Sequence, residues 1–221
     1  MTSQSFSGRL DPEFNPFDEN YLTEILEATA VAWARMKQPE RSEIEDRITF
    51  RLAARLTHDS HFADFPYDIV PQHWLLGLNG ECLGRLDLRF KHRHSQRDYF
   101  AFEAKRLHVT YPRGRFSSEY RTYVGDEGMM SFITGYYSTA LPACGMLAYV
   151  MDGKTEAARV GLGQLIEVER KLLKLDKDCR LSESILSERI KDGPHGIYLG
   201  ETKHKLVDYD LRLFHLLLPI H

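Results

Sequence analysis

The stretch that decides the fold is Gly84–Lys105, GRLDLRFKHRHSQRDYFAFEAK. It reads as two short strands joined by a strongly basic turn, with Asp87 on the first strand and Glu103-Ala104-Lys105 at the end of the second. Because side chains of a strand alternate between its faces, Glu103 and Lys105 share one face and Ala104 lies on the other. Charged groups are rare on a half-buried strand unless they are paired or bind a metal. The stretch therefore predicts a carboxylate held beside an ammonium, with Asp87 as the second carboxylate of a divalent-metal site.

Length and composition are those of an ordinary globular protein. The 221 residues fit one domain with a substantial core, and 43% hydrophobic and 28% charged residues are usual values. No apolar run is long enough to span a bilayer, and the N-terminus lacks the apolar core of a signal peptide. Cys82, Cys144 and Cys179 form neither a CxxC pair nor a zinc pattern, which favours free thiols. We therefore expect a cytoplasmic protein with no membrane partner.

The net charge of −3 conceals a strong asymmetry along the chain. The segment 85–121 holds ten Lys and Arg against four Asp and Glu, which is +6 and leaves −9 for the rest. This concentration of positive charge favours a polyanion as partner, although a solvated hairpin tip would have the same composition. The residues predicted to contact phosphates are Arg89, Lys91, Arg93, Arg97, Arg113 and Arg115.

The hydrophobic pattern divides the chain into an N-terminal arm, residues 1–20, and a single domain over 21–221. A helix over 21–37 comes first, and Ser42, three residues before Glu45, predicts the cap of a second helix. Residues 58–71 read as a loop. The later elements are predicted as strands at 74–78, 144–151 and 211–219, and as helices at 119–138, 155–175 and 182–191. This mixture of helices and strands predicts an α/β domain built on one central sheet.

The placement of Asp87 and the triplet at 103–105 resembles the signature of the PD-(D/E)XK nuclease superfamily, also called restriction-endonuclease-like. In that family an Asp on the second core strand is followed by (D/E)xK on the third strand, and here 16 residues separate the two. Leu86 stands where the signature has proline. The resemblance covers roughly residues 40–152. It implies a restriction-endonuclease-like core, a central mixed sheet flanked by helices, with C-terminal helical and strand additions over 153–221.

The resemblance also implies a metal site. Members of the family often draw a third acidic ligand from the first core helix, where Glu45 matches best and Glu43 is the alternative. The metal would be Mg²⁺, for which Mn²⁺ substitutes, and its implied ligands are Asp87, Glu103, Glu45 and the backbone carbonyl of Ala104. Lys105 would orient or help deprotonate the attacking water, or stabilise charge on the phosphate.

Three functions stay open on the sequence. The first is a metal-dependent nuclease acting on DNA, in keeping with family members that occur in bacterial defence against mobile DNA. The second is a non-catalytic nucleic-acid-binding or assembly subunit of a defence complex on the same fold. The third is a structural domain with no nucleic-acid role, which fits the alternative that Asp87, Glu103 and Lys105 form only a cross-strand salt bridge. Because the chain has no obvious separate recognition domain, we expect a homo-oligomer or a subunit of a larger complex.

Overall fold

A mixed sheet of seven strands organises the chain. The computed structural model describes residues 18–62, 64–76, 79–93, 99–135, 141–187 and 196–221. The strands are β1 (Tyr67–Leu76), β2 (Cys82–His92), β3 (Tyr99–Leu107), β4 (Val109–Thr110), β5 (Phe116–Ser117), β6 (Ala143–Val150), β7 (Ser182–Glu183), β8 (Tyr198–Lys205) and β9 (Asp210–Pro219). The α-helices are α1 (Glu19–Arg35), α2 (Glu45–His58), α3 (Tyr120–Val124), α4 (Met129–Ile133) and α5 (Thr155–Val168).

The sheet is parallel in its centre and antiparallel on both sides. Its strand order is β1-β2-β3-β6-β9-β8-β7, in which β6 runs parallel to β3 and β9 and all other neighbours are antiparallel. Strand β6, ACGMLAYV, is buried on both faces and is an unbroken apolar run, as expected of a central parallel strand. Strands β8 and β9 fall in the region predicted as a C-terminal addition, and they continue this same sheet.

Two apolar clusters cover the two faces of the sheet. The first packs α1 and α2 against one set of alternating residues, which includes Phe102 and Leu147. The second packs α3, α4 and α5 against the intervening set, which includes Ala101 and Ala148. The predicted α/β class, with a central mixed sheet flanked by helices, is therefore confirmed.

The first two helices begin close to where the sequence predicts. Helix α1 has Asp18 as its N-cap, and the Asp18 carboxylate accepts a hydrogen bond from the backbone N–H of Asn20. Helix α2 starts at Glu45 with Ile44 as its N-cap, so the prediction that Ser42 caps this helix is wrong. Of the predicted N-terminal arm, residues 1–17 lie outside the described residues.

Several later elements differ from prediction. The loop predicted over 58–71 contains the start of β1, and the helix predicted over 155–175 ends at Val168. The helix predicted over 119–138 is broken between α3 and α4, where a Cβ at Gly128 would lie 2.0 Å from the Tyr123 carbonyl oxygen. The helix predicted over 182–191 is not formed at Ser182–Glu183, where the chain pairs with β8 because sheet pairing overrides local propensity. Residues 188–191 of that prediction lie outside the described residues.

None of the described helices is suited to span a membrane. Within the described ranges, no helix combines the length and the apolar character needed to cross a bilayer.

Candidate metal centre at the edge of β3

The candidate site lies where β2 and β3 separate. The paired positions of these two strands end at Leu88 and Phe102, whereas β3 stays paired with β6 as far as Leu107. The edge of β3 beyond Phe102 therefore has no strand beside it on the β2 side. Buried backbone N–H groups on such an edge need other partners.

Two carboxylates supply those partners. The N–H of Ala104 donates to Asp87 Oδ2 at 2.8 Å, and the N–H of Arg106 donates to Glu45 Oε2 at 2.9 Å. Asp87 reaches the edge from β2 and Glu45 from the first turn of α2. The splayed strands thus bring acidic side chains from two elements onto one edge of β3.

The Lys105 ammonium lies at the centre of this group. Its Nζ is 2.7 Å from Glu103 Oε1, 2.8 Å from the carbonyl oxygen of Ala104 and 3.3 Å from Glu45 Oε1. The nearest Asp87 oxygen is 3.9 Å away. The structure therefore brings together all five residues predicted for catalysis and metal binding.

The site is buried and strongly charged. Asp87 and Glu103 are each 4% exposed and Lys105 is 6% exposed. Burial raises the pKa of Glu103 well above its ordinary value, and the Asp87 carboxylate raises it further. Burial alone would lower the pKa of Lys105, but Glu103, Glu45 and Asp87 outweigh it and raise that pKa. Lys105 is thus an ammonium that donates hydrogen bonds, and acting as a base would require it to leave these carboxylates.

Glu45 and Glu43, the two candidates for the third carboxylate, lie in different surroundings. Glu45 contacts both Lys105 and the N–H of Arg106. Glu43 instead pairs with Arg51 at 2.7 Å and lines a separate cavity. Of the two alternatives, only Glu45 reaches the site. Burial is the main cause of a raised pKa at Glu45.

An open cleft of about 660 Å³ leads to these residues. Five of its lining residues are acidic and two are basic, so the cleft is negative. The acidic ones are Glu45, Asp87, Glu103, Asp126 and Glu127, and the basic ones are Arg85 and Lys105. Asp126 and Glu127 were not predicted from the sequence. The signal for them is their position as an acidic pair between Gly125 and Gly128, the two glycines at which the predicted helix is broken.

The oxygen atoms of the site meet some of the requirements of a hard divalent cation. Among the described residues, no three His, Cys, Asp or Glu side chains stand together as a ready-made metal cluster. Mg²⁺, however, keeps several waters and needs only one or two carboxylates. Asp87 and Glu103 meet that need, and Glu103 Oε2 is buried without a hydrogen-bond partner. Lys105 contacts Glu103 Oε1 and the Ala104 carbonyl oxygen, so a cation that used these two oxygens would compete with the ammonium.

The predicted phosphate-contacting residues are spread more widely. None of the five that the structure describes lines the cleft, whereas Arg85 does. Arg89 donates to His73 at 2.7 Å and lies over the Tyr99 ring, and Arg93 pairs with Asp68 beside a separate cavity. Arg113 and Arg115 are exposed on the connection from β4 to β5, while Lys91 lies on β2 opposite Tyr99 and Arg97 is outside the described residues.

Comparisons with known proteins assign no function, so a function has to be argued from the residues of this chain. The chain matches no family model, and no curated protein and no solved structure is significantly similar to it.

Proposed function

We propose that the chain is a divalent-metal-dependent nuclease with a restriction-endonuclease-like core, acting on DNA. One observation carries the proposal: Asp87, Glu103 and Lys105 converge at the floor of an open cleft, and Glu103 keeps one buried oxygen unpartnered. Burial and the neighbouring Asp87 carboxylate both disfavour the charged form of Glu103, a cost that a bound divalent cation would relieve.

The residues divide the chemistry among them. Asp87, Glu103 and the Ala104 carbonyl would hold Mg²⁺ or Mn²⁺, which when bound polarises the phosphate and lowers the pKa of water. Glu45 would help to hold the cation from α2. Lys105, as an ammonium, donates hydrogen bonds that orient the attacking water or a phosphate oxygen, because its carboxylate contacts keep it protonated.

The charge of the cleft supports an order of binding. Burial favours the protonated form of Glu103, but four other acids still face two bases, so the cleft repels a phosphodiester until a divalent cation has entered. Outside the cleft, Arg89 has no carboxylate partner among the described residues, and with Arg113 and Arg115 it would attract the nucleic acid backbone. We therefore expect weak, salt-sensitive DNA binding without metal, and entry into the cleft only with it.

A second candidate function rests on Lys105. Its ammonium already neutralises part of the carboxylate charge, as in a buried structural salt bridge. A chain in which that bridge never opens would be a non-catalytic nucleic-acid-binding or assembly subunit. In either role it would act as a homo-oligomer or within a larger complex, such as a bacterial defence system.

The deciding experiment is a cleavage assay on single- and double-stranded DNA and RNA, with EDTA, Mg²⁺ or Mn²⁺. We expect metal-dependent cleavage of DNA by the wild type. Asp87→Asn and Glu103→Gln should reduce it to background, and Lys105→Ala should lower the rate about 10²-fold or more. Glu43→Gln is the matched control, since it changes a carboxylate at the start of α2 that faces Arg51, and it should cut normally.

The two candidate functions give different results in this assay. Salt-sensitive DNA binding with no cleavage under any metal, unchanged by Lys105→Ala, would support the non-catalytic subunit. Full activity in the Asp87 or Glu103 variant would remove that residue from the site.

A further inference from the structure

Gln72 has an unusual backbone for a strand residue. It lies within β1 and has a φ of 52°, in the left-handed region that residues other than glycine rarely adopt. Its neighbours Pro71 and His73 pair with Leu88 and Leu86, so Gln72 stands opposite Asp87. A strand residue in this conformation is strained, and such strain is held in place only by the surrounding structure.

The side chain of Gln72 completes the hydrogen bonding of Asp87. Gln72 Nε2 donates to Asp87 Oδ1 at 3.1 Å, while Ala104 N–H donates to Asp87 Oδ2. Both carboxylate oxygens are thus held by a donor from the strand on either side. The second amide atom, Gln72 Oε1, is buried without a partner.

The strained backbone also changes where the next side chain points. In a regular strand neighbouring side chains lie on opposite faces. Yet Gln72 contacts Asp87 and the adjacent His73 contacts Arg89 at 2.7 Å. Two consecutive side chains of β1, that of the left-handed residue and that of the next residue, thus both contact side chains of β2.

The partner strand shows the same disturbance. Leu88 packs in the cluster beneath α1 and α2, whereas Leu86, two residues before it, packs in the cluster beneath α3, α4 and α5. The hairpin thus changes face at Gln72 and Asp87. This is the position at which the candidate metal centre needs a carboxylate turned toward β3.

We propose that Gln72 is a positioning residue that fixes the Asp87 carboxylate for the divalent cation. The inference rests on the proposed function and names the residue that keeps its first ligand oriented. A strained backbone and an unpartnered buried oxygen both disfavour the folded state, so Gln72 is poorly explained by folding alone. Its amide, in contrast, acts with the N–H of Ala104 to keep Asp87 from rotating about its side-chain bonds.

Glycine is the variant that separates positioning from folding. Gln72→Gly removes the amide and also relieves the left-handed backbone, because glycine adopts positive φ without a steric penalty. We expect the urea midpoint of the metal-free protein to stay about the same, because relief of the left-handed backbone offsets the lost hydrogen bond to Asp87. The affinity for Mn²⁺, measured by titration calorimetry and by the EPR signal of free Mn²⁺, should fall about 10- to 100-fold, as for other groups that orient metal ligands.

Two further variants complete the test. Gln72→Ala keeps the strained backbone without the amide, so it should lose both Mn²⁺ affinity and stability. Gln164→Ala removes an exposed glutamine from α5, away from the cleft, and should change neither.

The outcomes distinguish a failure of the role of Gln72 from a failure of the proposed function. If the wild type binds Mn²⁺ and Gln72→Gly binds it equally tightly, the role of Gln72 is overturned and the proposed function stands. If Gln72→Gly loses stability in parallel with affinity, Gln72 belongs to the fold and the positioning role is overturned. A wild type that neither binds Mn²⁺ nor cleaves nucleic acid overturns the proposed function, and the role of Gln72 with it.

Discussion

Two buried polar networks of the protein differ in charge, in completeness and in access. The first is the metal-centre network of Glu45, Asp87, Glu103 and Lys105. The second, here the histidine network, joins β8, β9 and α3 through Thr202, His204, His215 and Tyr123, all of which are 0% exposed.

Every polar atom of the histidine network has a partner, and its protons can be assigned. The Leu173 carbonyl can only accept, so His204 Nδ1 donates to it. His204 Nε2 then accepts from the Thr202 hydroxyl, Thr202 accepts from His215 Nε2, and His215 Nδ1 accepts from Tyr123. The two neutral histidines therefore belong to one continuous chain of hydrogen bonds in which each donor has an acceptor, as is typical of a structural core.

The metal-centre network is the opposite in each respect. It is ionic, it leaves Glu103 Oε2 without a partner, and it opens on a cleft. Burial of polar groups is common to both networks and so does not identify a functional site. An incomplete and charged network that a ligand can reach is the more informative observation.

The largest expected effect comes from removing the central charge of the metal-centre network. Lys105→Met leaves three carboxylates facing one another without their ammonium, and we expect a loss of about 3–5 kcal/mol in the unfolding free energy of the metal-free protein. Mn²⁺ should restore much of this loss, because a cation can take the place of the ammonium. Urea unfolding with EDTA and with Mn²⁺ measures both effects.

Lys205→Met is the control for this variant. Lys205 is a solvent-exposed lysine that pairs with Asp210, and its loss should leave the urea midpoint unchanged. A Lys105→Met protein as stable as the wild type would show that the carboxylates do not gather around that ammonium.

The next largest effect is expected on lowering the pH, and the resulting change in stability has opposite sign in the two networks. Burial lowers the pKa of His204 to about 4 and that of His215 to about 3. Both lie below the ordinary value near 6.5, so their stability is present above pH 6.5 and is lost as pH falls toward 3. By pH 4.5 each histidine should cost roughly 2–3 kcal/mol. Glu45 and Glu103 act in the other direction, because a raised carboxyl pKa makes protonation easier in the folded state.

Unfolding by urea between pH 7 and 4.5 tests this difference. His215→Gln cannot take up a proton, so it should be less stable than the wild type at pH 7 but lose less stability on acidification. An equally steep pH dependence in His215→Gln would assign the acid sensitivity to groups other than this histidine.

The smallest effect on stability is expected at the rim of the cleft. Arg85 pairs with Asp46 at 3.6 Å, and both side chains are about two-fifths exposed, so Arg85→Ala should cost less than about 1 kcal/mol. Its effect on nucleic acid should be clearer, with the slope of log affinity against log salt reduced by about 1 in the presence of Ca²⁺. Fluorescence anisotropy of labelled DNA measures the slope. Arg47→Ala, an exposed arginine paired with Glu43, should leave it unchanged.

The sequence is sufficient for the parts of the site that depend on strand periodicity. Glu103 and Lys105 share a face because side chains alternate along β3, and the register of β2 against β3 brings Asp87 opposite Glu103. Glu45 could not be separated from Glu43, since the choice depends on which residue opens α2 and on where that helix meets β3.

Other parts of the site depend on events that local pattern does not contain. Gln72 takes part only because its backbone is left-handed, a conformation that glycine would have signalled and glutamine does not. Asp126 and Glu127 line the cleft because the chain breaks a helix at two glycines. The position of β9 beside β6 is set by pairing between distant segments, which no local pattern records.

The central position of β9 has a consequence for biosynthesis. Strand β6 is flanked by β3, which precedes it in the chain, and by β9, which is made about sixty residues later. On the ribosome, a chain that has not yet reached residue 210 has β6 as an open apolar edge and lacks the strand that completes the sheet. The sheet behind the cleft therefore assembles late in translation, and under the proposed function an unfinished chain should neither hold a cation firmly nor cut nucleic acid.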